Sequence, residues 1–210
     1  MKPTGRYKTA GNIEDIYYPD THILINKLNI QNDSDLQIAE KQALQECIKY
    51  FSAKEITIFD SKLICDIHYQ FLRKLYEWAG KYRSVDIAKG NTRFAVPQFV
   101  PKLMADLDIK IKKDNYLTDS KKDVFVAKLA YYKCELIAIH PFREGNGRTI
   151  RLFCDLLARK NGYGFFNYPN STAFVKKYMQ ASIAGVIKNN IEPMKIILND
   201  CLNDHNLEQP

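Results

Sequence analysis

The chain is poor in the features that mark several protein classes. Its 210 residues include nine glycines, eight prolines and one tryptophan. That composition holds no collagen-like repeat and no low-complexity linker. No apolar run approaches the roughly 18 residues of a membrane span. Met1 to Asn12 is polar and lacks the apolar centre of a secretory signal. The five cysteines (Cys47, Cys65, Cys134, Cys154, Cys201) are widely spaced with no CxxC pair. An odd, scattered set reads as reduced, buried thiols in a cytoplasmic protein. With no internal repeat and no break in composition, one domain over 1–210 is expected. Its core would lie at about 16–200, behind a flexible lead over 1–12.

What is present fits a globular fold: 46% hydrophobic and 26% charged residues. The net charge of +7 permits an anionic partner. The lysines are scattered, however, and no recognition-helix pattern stands out, so direct nucleic-acid binding is not expected. A nucleotide substrate or an acidic protein fits the same charge.

Periodicity predicts a mainly α-helical domain, all-α in class, with one short β-hairpin. Asp20 or Thr21 is placed to cap a short apolar piece, Ile23 to Leu28. Asn32-Asp33-Ser34-Asp35 opens a helix from about Leu36 to Phe51, with Ile38, Ala43, Leu44, Cys47 and Ile48 near its inner face. Asp60 or Ser61 starts a longer helix through Leu63, Ile67, Phe71, Leu75 and Trp78, closed by Gly80. His68 lies inside it and reads as a satisfied structural histidine. Val85 to Phe94, turning at Lys89-Gly90-Asn91-Thr92, reads as the hairpin. A helix to about Lys113 follows. Asp119 or Ser120 is expected to cap the next, with Phe125, Leu129, Tyr132, Leu136 and Ile139 inward. Further helices are expected to about Lys160, over Thr172 to Lys188, and over Pro193 to Leu202.

The chemistry concentrates in His140-Pro141-Phe142-Arg143-Glu144-Gly145-Asn146-Gly147-Arg148-Thr149-Ile150-Arg151, flanked by apolar helical runs. Pro141 disfavours the α conformation at His140, so the preceding helix should stop there. Gly145 and Gly147 permit tight turning and close backbone approach by a ligand. A helix beginning near Asn146 presents free N–H groups and a positive dipole end, an anion site. Arg148 and Arg151, three apart, share a face at that end. Glu144 is the single carboxylate in the nest, either a Mg²⁺ ligand beside phosphates or a helix-capping residue. A histidine near neutral pKa can act as general base toward a hydroxyl. Together these parts suit phosphoryl or nucleotidyl transfer.

These residues resemble the Fic (filamentation induced by cAMP) family, whose signature HPFx[D/E]GNGRxxR is matched without departure by His140 to Arg151. Further segments resemble its bacterial toxin and effector branch. Tyr17-Tyr18-Pro19 with Leu24 to Ile30 is similar to a YPG-T-x-VLxNKxGI opening, with Asp20 where Gly is usual. Tyr76 to Val85 is similar to YxWAGxxR-T/S-V, and Lys89 to Ala95 to a KGxxxFA flap. The resemblance implies a compact helical bundle that transfers AMP from ATP to a Tyr, Ser or Thr hydroxyl of a target protein. It implies His140 as base and Glu144 as Mg²⁺ ligand. Gly145, Asn146 and Gly147 would form the anion hole, with the Asn146 side chain near the α-phosphate. Arg148 and Arg151 would orient the β- and γ-phosphates. Lys89, Gly90, Asn91, Thr92, Arg93, Phe94 and Ala95 would be a flap pairing with target backbone. Tyr178 is left either lining the adenine pocket or packing in the core.

Family members often carry an inhibitory [S/T]xxxE[G/N] helix whose Glu engages the second motif arginine, here Arg151. No Ser or Thr in this chain is followed four residues on by Glu. A small separate antitoxin is therefore expected to supply that Glu in trans. Two alternatives remain open. One is a Doc-like kinase transferring the γ-phosphate, whose motif carries lysine where this chain has Gly147. The other is a non-catalytic nucleotide-binding or regulatory module.

Overall fold

The structure, a computed structural model, describes residues 8–9 and 17–202. Seven helices and three short strands follow in the order β1 (Lys8–Thr9), α1 (Asp33–Ser52), α2 (Ser61–Leu72), β2 (Ile87–Lys89), β3 (Thr92–Arg93), α3 (Val100–Lys113), α4 (Lys122–Ile139), α5 (Asn146–Lys160), α6 (Thr172–Lys188) and α7 (Glu192–Cys201).

Local capping chemistry explains several boundaries. The Asn32 side chain accepts from the Asp35 N–H, Asp60 from Leu63 and Ser171 from Phe174, so each supplies an acceptor to an otherwise orphaned donor. α4 ends where His140 turns left-handed, at φ 49° and ψ 64°, immediately before Pro141.

Helix α4 is the central element. Phe125, Val126, Leu129, Ala130, Tyr132, Lys133, Cys134, Leu136 and Ile139 are buried, which covers most of its circumference. It packs against α3, α5, α6 and α7, while α2 packs against α1 and α5. Helix α5 thus bridges two groups of helices, and its N-terminus opens beside α1.

The α4–α6 contact is close enough to require glycine at position 185. A Cβ there would meet Cys134 Sγ at 2.5 Å and its Cβ at 3.1 Å. Gly-to-Ala inside a helix ordinarily stabilises by about 0.5–1 kcal/mol. Here overpacking reverses the sign, and Gly185→Ala should destabilise by about 1–3 kcal/mol. A thermal melt checks this; an unchanged or raised midpoint contradicts it.

The sheet has the order β1-β2-β3, with both pairings antiparallel. β2 and β3 form the expected hairpin around Gly90-Asn91, with Lys89 opposite Thr92 and Gly90 at φ 59°. β1 was not expected. Lys8 and Thr9, inside the lead read as flexible, pair with Ala88 and Ile87. The rest of that lead, up to position 12, lies outside the described residues.

Other expectations are corrected by long-range contacts. α2 stops at Leu72 instead of running through Trp78, because the chain folds back over it. The Gly80 N–H donates to His68 Nδ1 at 2.8 Å, and Lys27 N–H takes the Leu75 carbonyl at 2.8 Å. Only glycine fits at 80, where φ is 79° and a Cβ would meet Tyr69 Cβ at 2.8 Å. Ile23 to Leu28 forms no helix: Leu24 bridges to Tyr17, and the Thr21 hydroxyl bonds the Tyr18 carbonyl. Ile38 is exposed, while Glu40 takes the buried place on α1. α4 has no side-chain cap from Asp119 or Ser120.

Candidate active site

The loop between α4 and α5 is braced from within. Asn146, fully buried, accepts from the Phe142 N–H at 2.8 Å and donates to the Phe142 carbonyl at 2.7 Å. The Asn146 amide is thus bonded at both ends to the loop's own backbone. The phenyl ring of Phe142 stacks on His68 at 3.7 Å between ring centroids. His68 is satisfied, as expected. Its Nδ1 accepts from Gly80, so Nε2–H donates to the Glu144 carbonyl at 3.0 Å. A helix histidine therefore sets the height of the loop. Tyr17 adds a tether at the rim: its hydroxyl bonds Arg143 Nη2, and its ring lies 5.5 Å from that guanidinium.

His140 is 6% exposed. Its Nδ1–H donates to the Ile137 carbonyl at 3.1 Å, which places the lone pair of the neutral ring on Nε2. Burial, with Arg83 and Lys89 adding to it, pushes the imidazolium pKa from 6.5 down to about 3. The ring is therefore neutral at physiological pH. Phe94 of the hairpin stacks on its face at 3.8 Å and 14°.

Burial likewise lowers His68 to about 4. At and above pH 7 both rings are neutral in the folded and unfolded chain and contribute nothing. As pH falls below 6.5 only the unfolded chain takes up the two protons, so stability is lost. The two histidines together remove about 4 kcal/mol between pH 7.5 and 5.0, and Asp155, whose burial raises its carboxyl from 3.8 to about 6, restores about 1, so chemical unfolding at pH 5.0 should show roughly 3 kcal/mol less stability. Equal stability at the two pH values would show that these rings are charged in the fold.

Helix α5 is preceded by Gly145, whose φ of 80° suits glycine and where an added Cβ would meet Leu72 Cδ1 at 2.8 Å. Glu144 Oε1 accepts from the Gly145 N–H at 2.9 Å, so this carboxylate holds the backbone just ahead of α5. A cleft of about 450 Å³ opens here, lined on α5 and its loop by Glu144, Gly145, Gly147, Arg148 and Arg151. Gly147 has open space where a side chain would stand. Across the cleft are Gln37, Glu40, Lys41 and Leu44 of α1 and Lys89 of β2. Arg151 is exposed, its Nε bonded to the Gly147 carbonyl at 3.3 Å.

Two residues here escaped the sequence reading. Glu40, 2% exposed, pairs with Arg148 at 2.7 Å, and Arg148 also lies 3.6 Å from Glu144. A glutamate in the apolar stripe of α1 was the available signal. Arg83 is the second, a buried arginine against the backbone of His140. Its only signal was a fixed place in the resemblance around Trp78. Tyr178 does not line the cleft. It packs edge-on to Tyr168 at 6.0 Å, and the Lys133 ammonium lies 5.6 Å from its ring. Among the described residues no group of three His, Cys, Asp or Glu is placed to hold a metal ion.

The fold and this constellation define a Fic-type domain, and comparison agrees: the Fic/DOC family model matches residues 58–158. The chain belongs to the Fic/DOC family. It is 34% identical over 159 residues to protein adenylyltransferase VbhT of Bartonella schoenbuchensis, covering 74% of this chain and 33% of that one. The chain thus spans about a third of that relative's length. It is 33% identical to the Fic protein of Salmonella typhimurium, named a probable protein adenylyltransferase, covering 70% of this chain and 72% of that one. Among solved structures, the N-terminal Fic domain of a Bartonella quintana effector with bound ADP superposes with a TM-score of 0.80 at 26% identity, covering 91% and 96% of the two chains. BepC of Bartonella tribocorum with bound AMPPNP superposes at 0.78 and 23% identity, covering 91% and 97%, a likeness of fold.

Proposed function

We propose that this protein transfers AMP from ATP to a hydroxyl of a target protein. The observation that carries this reading is the pairing of a neutral base with an anion site. His140 holds its lone pair on Nε2, while α5 begins in a cleft with Gly145, Gly147, Arg148 and Arg151 around it. The relatives named protein adenylyltransferases support it.

In this reading His140 Nε2 takes the proton of a target Tyr, Ser or Thr as its oxygen attacks the α-phosphorus. The new bond is O–P, the bond to the α–β bridging oxygen breaks, and pyrophosphate leaves. The backbone N–H groups of Asn146 and Gly147 would face the phosphates at the positive end of α5, with Gly145, whose own N–H is held by Glu144, shaping the turn ahead of them. Arg148 and Arg151 balance the β- and γ-phosphates. The donor set suits Mg²⁺, which takes one or two carboxylates and fills its shell from phosphates and water. Glu144 would hold it, and when bound it neutralises phosphate charge. The hairpin Lys89 to Ala95 would align the target segment, and Tyr178 would reach the adenine only through the cluster it shares with Tyr168.

A separate antitoxin would place its Glu on Arg151, which the open cleft against α1 can admit. The setting is read as cytoplasmic, which the five free thiols support. Among the described residues no helix is long and apolar enough to cross a membrane. Mass spectrometry of a bacterial lysate incubated with the protein and ATP tests the reaction. An adenylyl adduct on a Tyr, Ser or Thr is expected; a phosphate adduct in its place would establish the kinase alternative.

A further inference from the structure

Arg83 is 5% exposed, and no carboxylate pairs with it at ion-pair distance among the described residues. Its guanidinium is bonded to backbone carbonyls from three segments. Nε donates to His140 O at 2.8 Å, and Nη2 to Ile139 O at 3.2 Å and to Ala95 O. Nη1 donates to Val85 O at 2.8 Å. Its own backbone N–H donates to Pro141 O at 2.9 Å. These carbonyls belong to the end of α4, to the base itself, and to both stems of the hairpin.

Each contact has a physical reason. The last carbonyls of a helix lack intrahelical partners and carry the negative end of its dipole, so a cation there satisfies both. His140 sits in the left-handed region, which is disfavoured for a residue with a Cβ. A bond to its carbonyl opposes relaxation. On the hairpin side, Ala95 follows Phe94, whose ring lies on the imidazole. The planar guanidinium fork reaches all four carbonyls at fixed angles, which a lysine ammonium cannot do.

We propose that Arg83 is a positioning residue that locks the base and the hairpin into one frame, so that a hydroxyl delivered by the hairpin meets His140 Nε2. It touches neither nucleotide nor target. The inference rests on the transferase reading. The nucleotide cleft is lined by other residues, so binding of ATP and its transfer should separate in Arg83 variants.

The test uses the full chain, AMPPNP as the binding probe, and α-labelled ATP with the lysate protein that the wild type labels. Arg83→Lys should bind AMPPNP within about threefold of wild type. Its labelling per AMPPNP-competent molecule should be about a hundredfold slower, the loss expected when reacting groups shift by about 1 Å. Arg83→Ala should behave likewise and regain activity when guanidinium ion is added at non-denaturing concentration. Wild-type labelling by Arg83→Lys would overturn the proposal. So would loss of AMPPNP binding in both variants, which would make Arg83 a fold-holding residue only. Absence of labelling by the wild type would instead overturn the transferase reading.

Discussion

Replacing His140 with alanine should slow AMP transfer by about a thousandfold, within the range that a positioned general base contributes. AMPPNP affinity should stay unchanged. The two effects separate because the imidazole and the phosphate cleft are distinct parts. The ring lies under Phe94 and donates through Nδ1 to Ile137, while the cleft is lined by Glu144 to Arg151 and α1. The neutral ring also predicts that transfer persists below pH 6.5, where an ordinary histidine would already be protonated, until acid unfolding intervenes. Rapid-quench transfer assays on ATP-saturated protein measure the rate, and AMPPNP titration measures the affinity. A variant that transfers within tenfold of wild type would remove His140 from the chemistry.

Asn146→Ala should have the second large effect, and of a different kind. The amide closes the loop from Phe142 with two bonds, both wholly buried. Truncation leaves the Phe142 N–H and carbonyl without those partners. A buried polar group left unsatisfied costs about 1–3 kcal/mol, so a loss of roughly 3 kcal/mol is expected. Transfer should fall with it, because the same loop carries Glu144 and Gly145. Asn146→Asp should not restore either property: a carboxylate oxygen would then face the Phe142 carbonyl where a donor is needed. Melting and transfer measured together distinguish a brace from a ligand contact. Weakened ATP binding at unchanged stability would show that the amide serves the nucleotide.

The helices were legible where their signals are local. Asn32 and Asp60 cap as their side chains suggest, and His140-Pro141 stops α4. The twelve-residue stretch was legible as a candidate site because histidine, glycines and arginines recur there at helix-start spacing. What was missed depends on contacts distant in sequence. β1 exists only through pairing with β2, Lys8 with Ala88 and Thr9 with Ile87, beyond reach of any local pattern. The end of α2 is set by His68 accepting from Gly80, which no periodicity reveals. Glu40 looks like a solvated helix residue until Arg148 is placed against it, and Ile38 looks internal until α1 is rotated accordingly. Arg83 has a place in the resemblance around Trp78, but nothing local shows the four carbonyls that converge on it.

The common cause is that a polar side chain's partner decides its meaning. Glu40 and Arg83 are both buried, and each is held by groups far away in the sequence. Around the cleft at the start of α5 this gives two layers: residues lining it, and residues fixing the backbone that presents them.

The central claim is that the α-phosphorus is the atom transferred. ATP labelled separately at the α- and γ-phosphates, incubated with bacterial lysate and either wild-type protein or His140→Ala, tests it most directly. Label should remain on protein only from the α position and only with the wild type. Label retained from the γ position alone, or equal α-label with His140→Ala, would contradict the account.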